Sequence, residues 1–181
     1  KTLAVRLGIP LFGTDPDKFY EGSKSGGRKT FRESGVLLPE GFEDLHTPEE
    51  IITALTKLKE SNPSIRKAVV KMNDGFSGDG NAMYKYPAFE SGESIQQKIA
   101  DTLTDQLKPV SHDVNLALFF EIFQSMGGIG ESFVEGEIKT SPSVQCVITP
   151  GRQVEIASTH DQLLGGDDGQ IFIGAVFPAD E

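Results

Sequence analysis

The sequence has one cysteine, Cys146, and three histidines in 181 residues. A single cysteine excludes an internal disulfide framework and a cysteine-rich metal site, and it is typical of a reducing compartment. Its apolar setting predicts a small buried residue, not a nucleophile. Three scattered histidines do not have the spacing of a zinc site. The longest apolar run, 116–120, is far too short to span a bilayer, so we expect no transmembrane helix.

Positive charge is also scarce, with 17 basic against 27 acidic side chains and a net charge of −10. Residues 1–30 carry six basic and three acidic side chains, a sum of +3, which leaves −13 for the remainder. An acidic body repels nucleic acid and anionic membranes, so we expect neither as a partner. The basic N-terminal stretch is suited to a small anion.

The chain begins at Lys1 instead of methionine, carries no signal-peptide pattern, and ends directly after a strand-like run. We therefore expect it to be a piece of a longer protein.

Helical and strand patterns mix without a regular βαβ alternation. The clearest helix is expected at 47–60, because Thr47 is an N-cap, Pro48 suits the first position and Glu50 completes a capping box. Apolar spacing predicts further helices at 93–107, 114–125 and about 27–35, although 114–125 is also compatible with a strand. Strands are expected at 68–72, 82–86, 132–135, 144–148, 154–157 and 171–177. These elements predict an α+β fold with antiparallel sheets.

The most informative segment is a strand that carries Lys71 and is followed by a glycine-rich stretch, 75–80, and a return strand. Glycine lets backbone N–H groups approach phosphate oxygens, and the lysine supplies a charge for the same oxygens. The stretch lacks the Gly-Lys-Ser/Thr of a P-loop. The alternative is a hairpin tip whose edge lysine shields the sheet.

Two other segments add to this pattern. The basic, glycine-flanked stretch 22–29 precedes a helix and offers cations and free N–H groups to an anion, unless it is a solvated linker. In 130–137, acidic residues flank Phe133 and Val134, which suits the base and ribose of a nucleoside. In isolation, solvent-facing acids on an alternating strand are the better explanation of that segment. Because a triphosphate needs several cations, the three segments together favour a nucleotide site.

In this order, and with the turn Gly35–Pro39, the three segments resemble the ATP-grasp ligases. The strings 27–30, 71–81 and 158–162 are similar to the pheganomycin-type peptide ligases, and the resemblance covers about residues 3–178. It implies an ATP-grasp fold with antiparallel sheets, packed helices and an incomplete second lobe. The expected parts are an entry segment, 1–29, a lid lobe, 30–133, and a truncated C-terminal lobe, 134–181.

The resemblance also implies the residues that bind ATP. Lys24 and Lys71 would hold the phosphates, and the segment 74–80 would close over them. Glu131 would accept the adenine amino group, Phe133 and Val134 would give backbone contacts, and Glu137, or Glu135, would bind ribose. The full set is Lys24, Lys71, Asp74, Gly75, Ser77, Gly78, Gly80, Glu131, Phe133, Val134 and Glu137. The tentative substrate pocket is Arg28, His160 and Asp161; for His160 a turn-stabilising role is the alternative. No catalytic residue is identified.

The reaction implied is ATP-dependent joining of a small carboxylate and an amine through an acyl phosphate, with Mg²⁺ as the metal. The family's Glu-x-Asn metal pattern has no counterpart in 140–181. We therefore expect no metal ligands within this chain, missing N- and C-terminal domains, and no activity from the chain alone. The ATP requirement and the absent signal predict a cytoplasmic location. The alternatives are a non-catalytic ATP-binding regulatory module of the same fold, or an acidic interaction domain without nucleotide affinity.

Overall fold

The computed structural model describes residues 1–11, 13–75, 78–166, 169 and 171–180. The helices are α1 Thr2–Leu7, α2 Phe19–Gly22, α3 Lys24–Glu33, α4 Pro48–Ser61, α5 Ile95–Gln106 and α6 Leu116–Met126, with a 3₁₀ turn at Pro16–Lys18. The strands are β1 Gly41–Leu45, β2 Lys67–Met72, β3 Asn81–Lys85, β4 Leu107–Pro109, β5 Gly128–Ser132, β6 Pro142–Ile148, β7 Val154–Gly165 and β8 Ile171–Val176. Every helix in these ranges falls short of the length and apolar character needed to cross a bilayer.

The strands form two separate antiparallel sheets. The first sheet has the order β1-β5-β2-β3-β4, and the second has the order β6-β7-β8. The predicted α+β architecture with antiparallel sheets is confirmed. Residues 133–141 join the last strand of the first sheet to the first strand of the second.

The core lies between the first sheet and helices α4, α5 and α6. Side chains alternate between the two faces of a strand. In β2, Ala68, Val70 and Met72 belong to this core, together with Leu55 of α4. The intervening residues, Val69 and Lys71, therefore face away from the helices, toward the candidate site.

The helix at 47–60 is confirmed in detail. Thr47 accepts a hydrogen bond from the backbone N–H of Glu50, and the Glu50 side chain accepts one from the N–H of Thr47. The segment at 114–125 is a helix and not a strand, and it ends at Gly127, whose φ is 73°. That φ favours glycine.

Helix α3 begins three residues before the predicted start. The hydroxyl of Ser23 caps it by accepting from the backbone N–H of Gly26 at 3.1 Å. The glycines that suggested a loop belong to the helix. A Cβ on Gly26 would lie 1.9 Å from the carbonyl oxygen of Tyr20, so glycine permits this close packing.

Two expectations about strand boundaries and one about the burial of Cys146 were wrong. The strand predicted at 132–135 lies earlier in the chain, as β5 at Gly128–Ser132. A Cβ at Gly128 would lie 2.2 Å from the Lys71 carbonyl oxygen, so glycine permits the close approach of β2 and β5 there. Strand β7 does not end at residue 157 but continues to Gly165. Cys146 is exposed on β6, because the second sheet does not bury its side chains. The strands β1 and β4 were not predicted, since glycine and charged residues dominate the first and the second is three residues long.

Candidate functional site

Strands β2 and β5 bring Lys71 and Glu131 together on the face of the first sheet opposite helices α4, α5 and α6. Their register pairs Val69 with Glu131 and Lys71 with Ile129. Lys71 and Glu131 are therefore diagonal neighbours, a distance that long side chains bridge. The Lys71 Nζ lies 2.6 Å from Oε1 of Glu131.

The second carboxylate oxygen of Glu131 accepts a hydrogen bond from Arg28 of α3. Arg28 also donates from Nε to Oε1 of Glu43 at 2.8 Å and from Nη2 to the carbonyl of Pro39 at 2.8 Å. The Arg28 side chain is only 7% exposed, so its charge depends on these partners. Arg28 thus connects α3 to two strands and to the turn before β1.

Gly41 makes room for this ion pair. A Cβ at Gly41 would lie 2.6 Å from the Glu131 Cβ and 2.9 Å from Nη2 of Arg28. The backbone of Gly41 has no positive φ, so the requirement is for space and not for an unusual conformation.

Glu43 is the second acidic partner of the cluster. It accepts hydrogen bonds from Arg28 and from Arg32, both on α3. Burial by itself would raise the pKa of Glu43, but the hydrogen bonds from Arg32 and Arg28 outweigh it, so that the pKa lies below its ordinary value. Glu43 is therefore held as a carboxylate.

Lys24, the first residue of α3, is the second lysine of the site. Its Nζ lies 3.7 Å from the position that a Cβ would take on Gly75. Burial is the largest influence on its pKa and lowers it, and the charge of Lys71 lowers it further. Two neighbouring ammonium groups in a half-buried setting favour a bound anion.

Two cavities open beside these residues. The phosphate-side cavity, about 640 Å³, is lined by Lys24, Lys71, Asp74 and Gly75, with an apolar wall at 36–39. The inter-sheet cavity, about 810 Å³, is lined by residues of the first sheet, by the linker and by Leu163, Leu164 and Ile173 of the second sheet. Both cavities include Pro39, Lys71 and Glu131. Their volumes are those of ordinary small-molecule sites.

The glycine-rich stretch forms the connection between β2 and β3. Asp74 and Gly75 line the phosphate-side cavity, whereas Gly78 and Gly80 do not. Gly78 has a φ of 89°, and its carbonyl accepts from the N–H of Asn81 at 2.9 Å, so it shapes the turn. Ser77 lies outside the described residues.

The predicted nucleoside residues follow β5. Phe133 and Val134 line the inter-sheet cavity, but the N–H of Phe133 donates to the carbonyl of Lys67 at 3.2 Å. Glu135 lines the same cavity and pairs with Arg66 at 3.0 Å. Glu137 lines only a smaller cavity beside it.

The ammonium groups of Lys67 and Lys139 lie over the ring of Phe133, at 5.5 and 5.2 Å from its centroid. Such cation–π contacts contribute about 0.5–1 kcal/mol each where they are exposed. Lys67 belongs to β2 and Lys139 to the linker, so Phe133 joins the linker to the first sheet.

The residues predicted for the substrate pocket do not meet. His160 and Asp161 lie within β7 and line neither of the two cavities, and His160 does not occupy a turn. The His160 ring packs beside Phe177, and Asp161 accepts from the N–H of Asp180 at 2.8 Å. Arg28 lines the phosphate-side cavity, but its donors are already paired with protein groups.

Sequence reasoning also missed several residues that the folding brings to the site. In the inter-sheet cavity these are Val69, Gln162, Leu163, Leu164 and Ile173. A period-2 reading that extended β7 to residue 165 would have placed Leu164 and Gln162 on one face of a strand.

Mg²⁺ is the metal that the resemblance to ATP-grasp ligases implies for this site. Within the described ranges, no group of three or more histidine, cysteine, aspartate or glutamate residues is placed to hold a metal ion. The described part of the chain therefore does not form such a site by itself, and no step is derived through the metal.

An ion-paired lysine, a glycine-rich connection and a second lysine at a helix start line one cavity beside the first sheet, and the second sheet forms a wall of the neighbouring cavity. The sequence model of the family described as IQCH-like, ATP-grasp matches residues 17–112. The chain belongs to this family.

Two curated relatives extend the similarity. IQ motif-containing protein H from Danio rerio is 26% identical over 205 residues, an alignment that covers 97% of this chain and 19% of the relative. L-propargylglycine–L-glutamate ligase from Streptantibioticus cattleyicolor, strain ATCC 35852 / DSM 46488 / JCM 4925 / NBRC 14057 / NRRL 8057, is 30% identical over 169 residues, covering 88% of this chain and 31% of the relative. The chain thus spans less than a third of either relative.

A solved structure supports the fold. The crystal structure of D-alanyl-alanine synthetase A from Vibrio cholerae O1 biovar eltor strain N16961 matches with a TM-score of 0.55 and 13% identity. The match covers 99% of this chain and 47% of that chain. Both sheets of the present chain therefore belong to the ATP-grasp fold.

Proposed function

We propose that this chain is the ATP-binding part of an ATP-dependent carboxylate–amine ligase. The observation that carries the proposal is the placement of Lys24 and Lys71 on the wall of one cavity, with the backbone of Gly75 beside them. Lys71 pairs with Glu131 at 2.6 Å, but its charge still lowers the pKa of Lys24. A polyphosphate bound between the two ammonium groups would offset this repulsion. Phosphoryl transfer depends chiefly on such positioning and charge neutralisation.

In this proposal the nucleoside occupies the inter-sheet cavity. The apolar side chains of Val69 and Leu164 line this cavity and would contact a base, and Val134, an exposed residue that also lines it, would offer its backbone groups to the edge of the base. Glu131 holds Lys71 and Arg28 through one oxygen each. A carboxylate has about four acceptor positions, so Glu131 retains room for an adenine amino group. Glu135 is the better-placed acceptor for ribose, because it lines this cavity.

The proposed reaction has two steps. A carboxylate oxygen of the first substrate attacks the γ-phosphorus of ATP, which forms an acyl phosphate and releases ADP. An amine then attacks the acyl carbon, which expels phosphate and forms an amide. Lys24 and Lys71 bind and orient the phosphates in the first step. The relative named L-propargylglycine–L-glutamate ligase supports amino acids as the first substrates to test.

ATP binding is tested by calorimetry with Mg²⁺-ATP on this chain and on Lys71→Ala. We expect saturable binding that weakens at least tenfold in the variant, about 1.4 kcal/mol. Lys108→Ala is the matched control, because Lys108 is exposed on β4 and lines neither cavity. Absence of binding by the folded chain, or equal binding by both variants, contradicts the proposal and favours an acidic interaction domain.

Ligase activity is tested on the longer protein that contains the chain. The assay supplies ATP, L-glutamate and a panel of amino acids, and hydroxylamine to trap an acyl phosphate as a hydroxamate. Release of ADP that depends on the carboxylate, with hydroxamate formation, supports ligation. ATP binding without turnover of any pair points instead to a non-catalytic regulatory module.

A further inference from the structure

Asn73 lines the phosphate-side cavity, two residues after Lys71 and two before Gly75. Its side chain is buried, with 8% of the residue exposed. It is a polar residue at the end of a strand in the first sheet, where a ligand-binding group would be expected. Its contacts, however, are with protein.

All four hydrogen-bonding groups of Asn73 have partners on two helix ends. Its carbonyl accepts from the N–H of Lys24 at 3.1 Å, and its Oδ1 accepts from the N–H of Ser25 at 3.0 Å. Its N–H donates to the carbonyl of Gly127 at 2.9 Å, and its Nδ2 donates to the carbonyl of Met126 at 3.0 Å. The first pair satisfies N–H groups at the start of α3, and the second satisfies carbonyls at the end of α6, groups that a helix leaves unpaired.

These contacts have a geometric consequence for the two lysines. Lys24 extends from the first position of α3, and Lys71 extends from β2 just before Asn73. The bonds from Asn73 to the backbone of Lys24 and Ser25 fix the start of α3 against the end of β2. The separation of the two ammonium groups therefore depends on Asn73, each of whose hydrogen-bonding groups has a protein partner.

We infer that Asn73 is a positioning residue, which sets the spacing of Lys24 and Lys71 for a polyphosphate by joining the start of α3 and the end of α6 to strand β2. This inference deepens the proposed function and rests on it for the identity of the anion. Gly127 packs closely against this side chain, because a Cβ added to Gly127 would lie 3.1 Å from Nδ2 of Asn73.

The test uses Asn73→Ala, with two measurements on the folded protein. The first is the pKa of Lys24, obtained from the pH dependence of competitive acylation of the individual lysines, which requires no nucleotide. In the unaltered chain burial and Lys71 lower this pKa. In Asn73→Ala we expect it to return toward the ordinary lysine value. The second measurement is the affinity for Mg²⁺-ATP, which we expect to fall about tenfold, or about 1.4 kcal/mol, because the two lysines would no longer be held at the spacing of one polyphosphate.

The matched control is Asn115→Ala, which removes the side-chain cap at the opposite end of α6, where Oδ1 accepts from Leu118 at 2.9 Å. It should leave the pKa of Lys24 and the ATP affinity unchanged. Asn73→Ala and Asn73→Ser both keep the backbone N–H and carbonyl of residue 73. Asn73→Ser also keeps one side-chain hydrogen-bonding group and should give intermediate values. It carries the test if the alanine variant does not fold.

The outcomes separate the two proposals. An unchanged Lys24 pKa in a folded Asn73 variant overturns the positioning role, whatever the ATP affinity. A shifted Lys24 pKa in a chain that binds no ATP supports the positioning role and contradicts the nucleotide function. A shift in both measurements supports both.

Discussion

The two sheets use the same kinds of apolar side chain with opposite results. In the first sheet Val70, Ala82 and Tyr84 are fully buried beneath three helices. In the second sheet none of the residues of β6, β7 or β8 is buried, and Val154 is 68% exposed. Burial, and not composition, therefore decides what a strand contributes to stability. The first sheet supplies fixed charges to the site, and the second supplies one wall of a cavity.

The largest test of this comparison is Arg28→Ala. Arg28 connects only elements around the first sheet, and its loss leaves buried Glu131 and the Pro39 carbonyl with fewer partners. We expect the free energy of unfolding to fall by about 3–5 kcal/mol, the usual cost of breaking a buried pair. Arg28→Lys keeps the charge but not the planar fork, so it should fall between.

Two natural probes report the sheets separately. All three tyrosines lie outside residues 142–176, whereas the only cysteine, Cys146, is exposed on β6. Denaturant unfolding of Arg28→Ala followed by tyrosine fluorescence should shift, while a fluorophore on Cys146 should report little change. Equal shifts of both probes would show that the sheets unfold as one unit, which would break the comparison.

A matched pair of valines gives the next effect. Val70→Ala removes fully buried methyl groups from β2 and should cost about 2 kcal/mol, from about 0.8 kcal/mol per buried carbon plus a cavity. Val154→Ala removes the same groups from an exposed strand and should cost within about 0.5 kcal/mol. Urea unfolding curves of both variants measure the difference. A large loss in Val154→Ala would reveal that something covers the second sheet in solution.

The smallest expected effect is the pH dependence of stability to which Glu43 contributes. The pKa of Glu43 lies below its ordinary value, so this group stabilises the fold at neutral pH and loses that contribution as the pH falls through its folded-state pKa, below the usual glutamate range of about 4.3. Glu43→Gln keeps an acceptor and should cost about 1 kcal/mol at pH 7. The gap between the two proteins should narrow on acidification, as urea unfolding at several pH values would measure. A gap that stays constant between pH 7 and pH 3 would exclude Glu43 as a source of the acid sensitivity.

Local signals carried the sequence analysis of the first sheet well. The capping box at Thr47 and the apolar spacing of α4 are contained in adjacent residues, and the strand with Lys71 is a continuous apolar run. Glycine was the main source of error, since Gly26 and Gly128 support close packing within a helix and a strand. Whether a glycine marks a turn or a close contact depends on distant residues, which one sequence does not reveal.

The candidate site shows the same contrast between local sequence signals and contacts of residues distant in sequence. Lys24 and Lys71 stand beside glycine patterns and were predicted to share one site; both line the phosphate-side cavity, and their role in binding ATP stays a prediction. The pairing of Arg28 with Glu131 joins residues 103 positions apart and left no local signal. The cavity wall from Leu164 depended on the length of β7, which a glycine-free polar stretch had concealed.

The lack of a side chain at Gly41 makes three positions, Arg28, Gly41 and Glu131, depend on one another in the substitutions that they tolerate. A side chain at position 41 would clash with the ion pair of Arg28 and Glu131, so the ion pair requires glycine there. A larger residue at 41 displaces the pair, and loss of either charge leaves the other buried alone. We therefore expect a substitution at any one of these positions to be tolerated most easily when the other two positions change with it.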